Sequence, residues 1–395
     1  MLPLRRPLYL PSADFRTPDT LVEVLRYWGV PARRVRVAGM EPIVPSLSCA
    51  RLVRLRLHVA SPRADVEWQT SLVLKELVPL GGWLSWASED AILREAQLWR
   101  SGVLEDLPAT IATGALAVSL TGAVDAPTGG ALLMRDMRSF LLPHPLRTPP
   151  PASLTPLLDD LARMHARFWD DARLGAVPVG LASPRAALLM AAPTTVADRI
   201  AMGDTDPYLA SMPQGWESFF SLAAPEAADT LRHVLAEPEP IIHALDHLPA
   251  TLVHGDVWGP NLGRLPAART AGGTRVSPRT LLLDWALATT GPCVYDPLWL
   301  AGTWHALDHR RLLAVYRSQL THHLGRHGRA LDQATWCALV DAGYLRTALV
   351  CGEAFGRVAA QAPQGSARLR AERRARWWAS RAAQAAGRLI RLAEE

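Results

Sequence analysis

The hydrophobic positions of this chain change their period partway along it. In "TPDTLVEVLRYWGV", Leu21, Val24, Leu25 and Trp28 recur at helical spacing and Gly29 closes the run, which predicts a leading helix over about residues 18–29. "CARLVRLRLHVA" alternates instead. From Val53, the apolar residues Leu55, Leu57 and Val59 fall at every second position among Arg, as in a strand with one buried face. "WQTSLVLKELV" predicts a second strand. "SWASEDAILREAQLWRSG" predicts a single helix ending near Gly102, with Ser88 at its start and acidic residues in its first turn. "ALLMRDM" reads as a short apolar strand, followed by the proline-rich connector "LLPHPLRTPPPASLTP".

Beyond that connector the helical period dominates, beginning with "SLTPLLDDLARMHARFWDD". It is interrupted by "ATLVHGDVWGPNLGRL" and "RTLLLDWALA", two short strands joined by the hairpin "PAARTAGGTRVSP". The pattern predicts an α+β chain in two lobes. Residues 1–136 form a strand-rich lobe with its leading helix, and residues 137–395 a larger, mainly helical one. A length of 395 residues, more than one ordinary core accommodates, agrees with that division.

Composition narrows the class. With 49% hydrophobic and 20% charged residues the chain reads as globular. Cys49, Cys293, Cys337 and Cys351 are scattered without CxxC spacing, which argues against a disulfide framework or zinc ribbon and leads us to expect a cytoplasmic protein. The start lacks an apolar run of signal-peptide length. The longest uncharged stretch, "LPATIATGALAVSLTGAV", is broken by Pro108, Gly114 and Gly122, so no membrane span is expected. The net charge of +5 comes from Arg, much of it in "ARLRAERRARWWASRAAQAAGRLIRLAEE". That segment reads as a surface helix with solvated Arg rather than a nucleic-acid contact.

Two residue types are nearly absent. Of 42 basic residues 41 are Arg, Lys75 being the only Lys, and Asn261 is the only Asn. Positions that escape such a bias point to chemistry that Arg and Asp cannot supply. Phosphoryl transfer has those requirements: a cation on the nucleotide phosphates, oxygen ligands for magnesium, and a carboxylate beside the attacking hydroxyl. "HGDVWGPN" carries Asp256 two residues after His254 and Asn261 five after the aspartate, the spacing of a kinase catalytic loop. "LLLDWALA" puts Asp284 at the end of an apolar strand, where a second metal carboxylate belongs. Lys75 lies on a strand and Glu95, in "LREAQLW", on the following helix; an ion pair between them would aim the ammonium at phosphate, a point charge that the rigid fork of Arg replaces poorly.

On these residues the chain resembles the aminoglycoside phosphotransferase and choline kinase family, small-molecule kinases of the bilobal protein-kinase-like fold. "HGDVWGPN" looks like that family's HGDxxxxN loop and "LLLDWA" like its DW motif. "LARMHARFW" and "YDPLWL", with Asp296, resemble two of its structural segments, and "LLMRDM" resembles the interlobe linker; together they span roughly residues 20 to 360. The resemblance implies that Asp256 is the catalytic base, that Asn261 and Asp284 hold Mg2+, and that Lys75 with Glu95 secures the α- and β-phosphates of ATP, with GTP as the other nucleotide. It makes Met134, Arg135, Asp136 and Met137 the linker that binds the base, and His254 a brace for the loop. It implies a small-molecule hydroxyl substrate, no nucleic-acid or membrane partner, and a monomer or homodimer.

The loop expected to cover the nucleotide, "EPIVPSLSCA", contains no glycine, which leaves phosphate contacts to the backbone amides of Ser46 to Ala50. That departure motivates the rival reading, a nucleotide-binding pseudokinase or scaffold. The absence of an A-P-E segment after Asp284 disfavours a protein kinase. Asp170, Asp171, Asp204 and Asp206 are candidates to line an acceptor site near Asp256 and Trp258. The pairs His243/His247 and His323/His327 have i, i+4 spacing but lack the Glu of a zinc-binding HExxH.

Overall fold

The structure is a computed structural model. It describes every residue except 1–5, 44–49, 63–65, 143–150, 176–178, 270–274, 305–306 and 395. Strand β1 (Leu8–Tyr9) and helix α1 (Pro18–Tyr27) lead into β2 (Arg34–Pro42), β3 (Arg51–Ala60) and β4 (Glu67–Leu77). Two short helices follow, α2 (Trp83–Ala87) and α3 (Arg94–Arg100), then β5 (Ile111–Ala112), β6 (Ala115–Gly122) and β7 (Pro127–Arg135). These strands, β5 excepted, form one sheet of order β1-β6-β7-β4-β3-β2, antiparallel apart from the β1–β6 edge.

The alternation read from β3 sets the two faces of this sheet. Val53, Leu55, Leu57 and Val59 of β3 and Leu72 and Leu74 of β4 are buried in one core with Leu21, Val24 and Leu25 of α1 and Trp28 just past its end. The Trp28 indole donates to Leu116 O at 2.7 Å and fixes the helix across the sheet. The other side chains of β4, among them Ser71, Val73 and Lys75, therefore stand on the opposite face.

The remainder is mainly helical. Helices α4 (Pro151–Arg167), α5 (Pro184–Leu189), α6 (Pro193–Ala201), α7 (Pro207–Leu222), α8 (Pro225–Ala236) and α9 (Glu239–Asp246) precede β8 (Thr251–Val253), β9 (Leu262–Leu265), β10 (Ala268–Arg269), β11 (Arg275–Val276), β12 (Arg279–Leu282) and β13 (Thr289–Gly291). The chain ends with α10 (Tyr295–Thr303), α11 (His309–Arg326), α12 (Gln333–Gln361) and α13 (Ser366–Glu394). The expected α+β architecture is present, and so is the β9–β12 hairpin. Its sheet has a third member, β5, which pairs in parallel with β12 although it lies in the strand-rich half of the sequence. The Arg-rich α13 buries Ala375, Trp378, Ala379, Ala382, Ala385, Ala386 and Leu389. Among the described residues no helix is long and apolar enough to cross a membrane.

One predicted element is corrected. The single helix expected across residues 85–102 is two helices, because Glu89 and Leu93 adopt left-handed backbone (φ 59° and 60°). The turn between them wraps the fully buried guanidinium of Arg94, which donates to Ser88 O at 2.6 Å and Gly180 O at 2.7 Å and also to Ala286 O. Ser88 ends α2 rather than starting a helix; α3 begins after Leu93, and its first amide, Arg94 N, donates to Asp90 Oδ1 at 2.6 Å.

Candidate active site

Lys75 is 2% exposed, and its ammonium bridges two carboxylates from distant stretches. Nζ lies 2.6 Å from Glu95 Oε2 on α3 and 2.7 Å from Asp284 Oδ1, just past β12. The second Glu95 oxygen accepts from Trp285 N at 3.3 Å. Burial disfavours the Lys75 charge, but Asp284 and then Glu95 outweigh it and its pKa rises. The carboxylates divide. Burial holds Glu95 above its ordinary range despite Lys75, whereas Asp284, which burial would also raise, is brought below it by Lys75. Two of the three ammonium hydrogens are engaged, leaving one for a further acceptor.

The "HGDVWGPN" segment follows β8 and is fixed from behind. Asp296, in the first turn of α10, accepts from His254 N at 3.0 Å and Gly255 N at 2.9 Å, and His165 of α4 contacts the same carboxylate at 3.1 Å. The two segments read as structural are thus joined to each other and to the loop. His254 Nε2 donates to Leu283 O at 2.9 Å, while Nδ1 accepts from Asp256 N at 3.3 Å. This pattern requires the neutral ring, and burial depresses the His254 pKa accordingly. His254 is a brace between the loop and the Asp284 strand. Gly255 has φ +83°, and a Cβ there would stand 2.1 Å from Leu287 O, so only glycine fits.

Asn261 Nδ2 donates to Asp256 Oδ2 at 2.8 Å, and Asn261 O accepts from Leu283 N at 2.9 Å. The loop aspartate, the lone Asn and the strand leading to Asp284 therefore lie side by side. Burial, then repulsion from Asp284, pushes the Asp256 pKa up to about 7; Arg346 and Asn261 pull the other way. A carboxylate so poised can accept a proton near neutral pH.

The four linker candidates have different surroundings. Met134 pairs in register with Val73. The Arg135 guanidinium turns away, over the Trp28 ring at 5.2 Å. Asp136 Oδ2 accepts from Arg54 Nε at 2.8 Å and Ser71 Oγ at 3.0 Å. Met137 is buried with Ala112, Leu265 and Leu281. The amides expected at Ser46 to Ala50 fall, except for Ala50, outside the described residues.

The acidic residues suggested for an acceptor site are committed locally. Asp170 accepts from Ala250 N, Asp171 pairs with Arg173, Asp204 pairs with Arg199, and Asp206 caps α7. His243 and His247 face each other at 3.3 Å, and His323 contacts Asp159.

Sequence reasoning missed Arg346. It is fully buried between the rings of Tyr295 (5.0 Å) and Trp299 (5.1 Å), and it donates to Gly255 O at 3.1 Å and Ala187 O at 3.2 Å. A signal was available. "AGYLRTALVCGEAFG" contains one Arg and one Glu in an otherwise uncharged stretch, and both Arg346 and Glu353 are buried.

Asn261 Oδ1 and Asp284 Oδ2 accept no hydrogen bond from the described residues, and both are hard oxygen donors. No group of three or more His, Cys, Asp or Glu among the described residues forms a metal site. Two protein oxygens suit magnesium, which takes its remaining ligands from phosphate and water.

No protein-family model matches the chain, and no curated protein matches it. Solved structures resemble it along its length. A Ralstonia eutropha protein assigned as an aminoglycoside phosphotransferase shares 16% identity over 93% of this chain and 98% of its own, with a TM-score of 0.44. A choline kinase from Cryptosporidium parvum shares 7% over 95% of both chains (TM-score 0.44). Macrolide 2'-phosphotransferase MphH from Brachybacterium faecium shares 17% over 88% of this chain and 99% of its own (TM-score 0.37). At these scores the likenesses carry no argument about reaction or substrate.

Proposed function

We propose that the chain is an ATP-dependent O-phosphotransferase that acts on a hydroxyl of a small molecule of aminoglycoside, choline or sugar type. The observation that carries this reading is the buried Lys75 ammonium shared between Glu95 and Asp284. A lone Lys so placed positions a triphosphate, and Asp256 and Asn261 stand beside it. Asn261 and Asp284 would hold Mg2+, which when bound neutralises charge on the phosphates. Asp256 orients the acceptor hydroxyl and takes its proton as the oxygen bonds to the γ-phosphorus. The bond from γ-phosphorus to the bridging oxygen breaks, and ADP carries the electron pair away. His254, Asp296 and Arg346 keep Asp256 in place.

The test is ADP formation by the purified protein with ATP and magnesium across a panel of hydroxylated small molecules. Turnover that is lost in Asp256→Ala supports the reading, and turnover that persists in that variant removes the mechanism. The glycine-free covering loop supports the rival. Magnesium-dependent thermal stabilisation by ATP, with no turnover on any acceptor, would identify a pseudokinase.

A further inference from the structure

The sheet face that carries Lys75 continues into an unusual neighbour. Arg54 of β3 pairs in register with Val73 of β4, two residues before Lys75, so its side chain stands on the Lys75 face about 7 Å along the sheet. An apolar side chain is the simple choice above a planar ring. Here a guanidinium occupies the place, and it reaches the linker: Nε binds Asp136 Oδ2, which Ser71 also holds. Arg54 and Asp136 are 17% and 11% exposed, and the carboxyl lies below its ordinary range because hydrogen bonds from Arg54 and Ser71 overcome the effect of burial. Nη1 makes a long ion pair with Glu41 Oε2 at 3.8 Å, and among the described residues neither nitrogen at the end of the fork donates a hydrogen bond. Among the described residues Asp136 Oδ1 accepts only from Arg138 N, at 3.3 Å. The pair thus keeps donor capacity on Arg54 beside spare acceptor capacity on Asp136. A cavity of about 570 Å3 opens against the Arg54 side of the pair, lined also by Ser71, Arg138, Glu41, Arg56 and Gln69, a volume of ligand-pocket size.

We infer that Arg54 and Asp136 form the base-reading element of the nucleotide site, so that side chains as well as linker backbone recognise the base. Every nucleobase edge sets a donor beside an acceptor: N6–H and N1 in adenine, N1–H and O6 in guanine. Asp136 accepts from the first atom of such a pair and Arg54 donates to the second. The inference rests on the phosphotransferase reading, and the two can fail separately.

The experiment is calorimetric titration of the full chain with magnesium and three probes: ATP, GTP and base-free tripolyphosphate. Wild type should bind at least one nucleotide more tightly than tripolyphosphate. Arg54→Gln and Asp136→Asn should each weaken that nucleotide about 10-fold or more, the weight of one charge-assisted hydrogen bond, and narrow any difference between ATP and GTP. Tripolyphosphate affinity should stay within about twofold in both variants, which also shows that they are folded. Equal losses for nucleotide and tripolyphosphate, or no loss for either, would overturn the base-reading role and leave the phosphate site standing. Failure of wild type to bind any of the three would overturn the phosphotransferase reading itself.

Discussion

The loop that carries Asp256 and the sheet face that carries Lys75 keep their charges in opposite ways. The loop is held by groups that no ligand needs to disturb: two backbone amides on Asp296, a neutral His254 on a carbonyl, and Arg346 on Gly255 O. On the sheet side the charged groups satisfy one another, Lys75 with Glu95 and Asp284, and Arg54 with Asp136. A frame built from backbone hydrogen bonds keeps its geometry whether or not a ligand is bound. A set of mutual ion pairs can be repartitioned when a triphosphate and its metal arrive. Under the proposed function the difference puts rigidity at the proton acceptor, Asp256, and exchange at the phosphates, beside Lys75.

The largest effect should come from removing the centre of the frame. Asp296→Ala deletes the acceptor for two buried amides and the partner of His165, and losses of about 3–5 kcal/mol are usual when a buried charge network loses one member. Urea unfolding should show a midpoint well below wild type with an unchanged slope. Acid adds a second check. The Asp296 pKa is lowered: burial would raise it, but the hydrogen bonds from His165 and the Gly255 amide outweigh that effect. Its contribution is therefore present above the unfolded carboxyl pKa and is lost as pH falls through the folded one. Asp296→Ala should flatten that part of the acid limb. A wild-type midpoint for this variant would break the comparison.

On the sheet side, one-sided removal should cost more than paired removal. Lys75→Met strands Glu95 and Asp284 without a cation, whereas Lys75→Met combined with Glu95→Gln removes a charge of each sign. The double variant should recover about 1–3 kcal/mol relative to additivity. Additive losses would mean that Lys75 and Glu95 act independently, against their 2.6 Å contact.

Much of this was legible in the sequence, and the reason is compositional. In a chain that uses Arg for nearly every cation, one Lys and one Asn stand out, and the period change around "LLLDWALA" places Asp284 at a strand end. What stayed hidden were the guanidiniums. Arg54, Arg94 and Arg346 are chemically identical in the sequence to the solvated Arg of α13, and only the fold tells a buried fork from an exposed one. The split of the predicted 85–102 helix has the same origin. Its apolar period continues through Glu89 and Leu93, and the turn is set by the Arg94 contacts with Ser88 and Gly180, residues that periodicity does not weigh.

The smallest effect calibrates the others. Arg185 and Glu239 form a direct ion pair, but their side chains are 50% and 72% exposed and touch neither the loop nor Lys75. Water screens such a pair, and ordering two long side chains offsets most of the attraction, so exposed pairs contribute about 0–1 kcal/mol. Arg185→Ala should shift the urea midpoint by no more than that, with less shift at high salt. If it instead matched Asp296→Ala, loss of charge anywhere would suffice to destabilise the chain, and the contrast between a backbone-held frame and mutual ion pairs would explain nothing. A near-neutral result ties the larger losses to burial and to stranded partners.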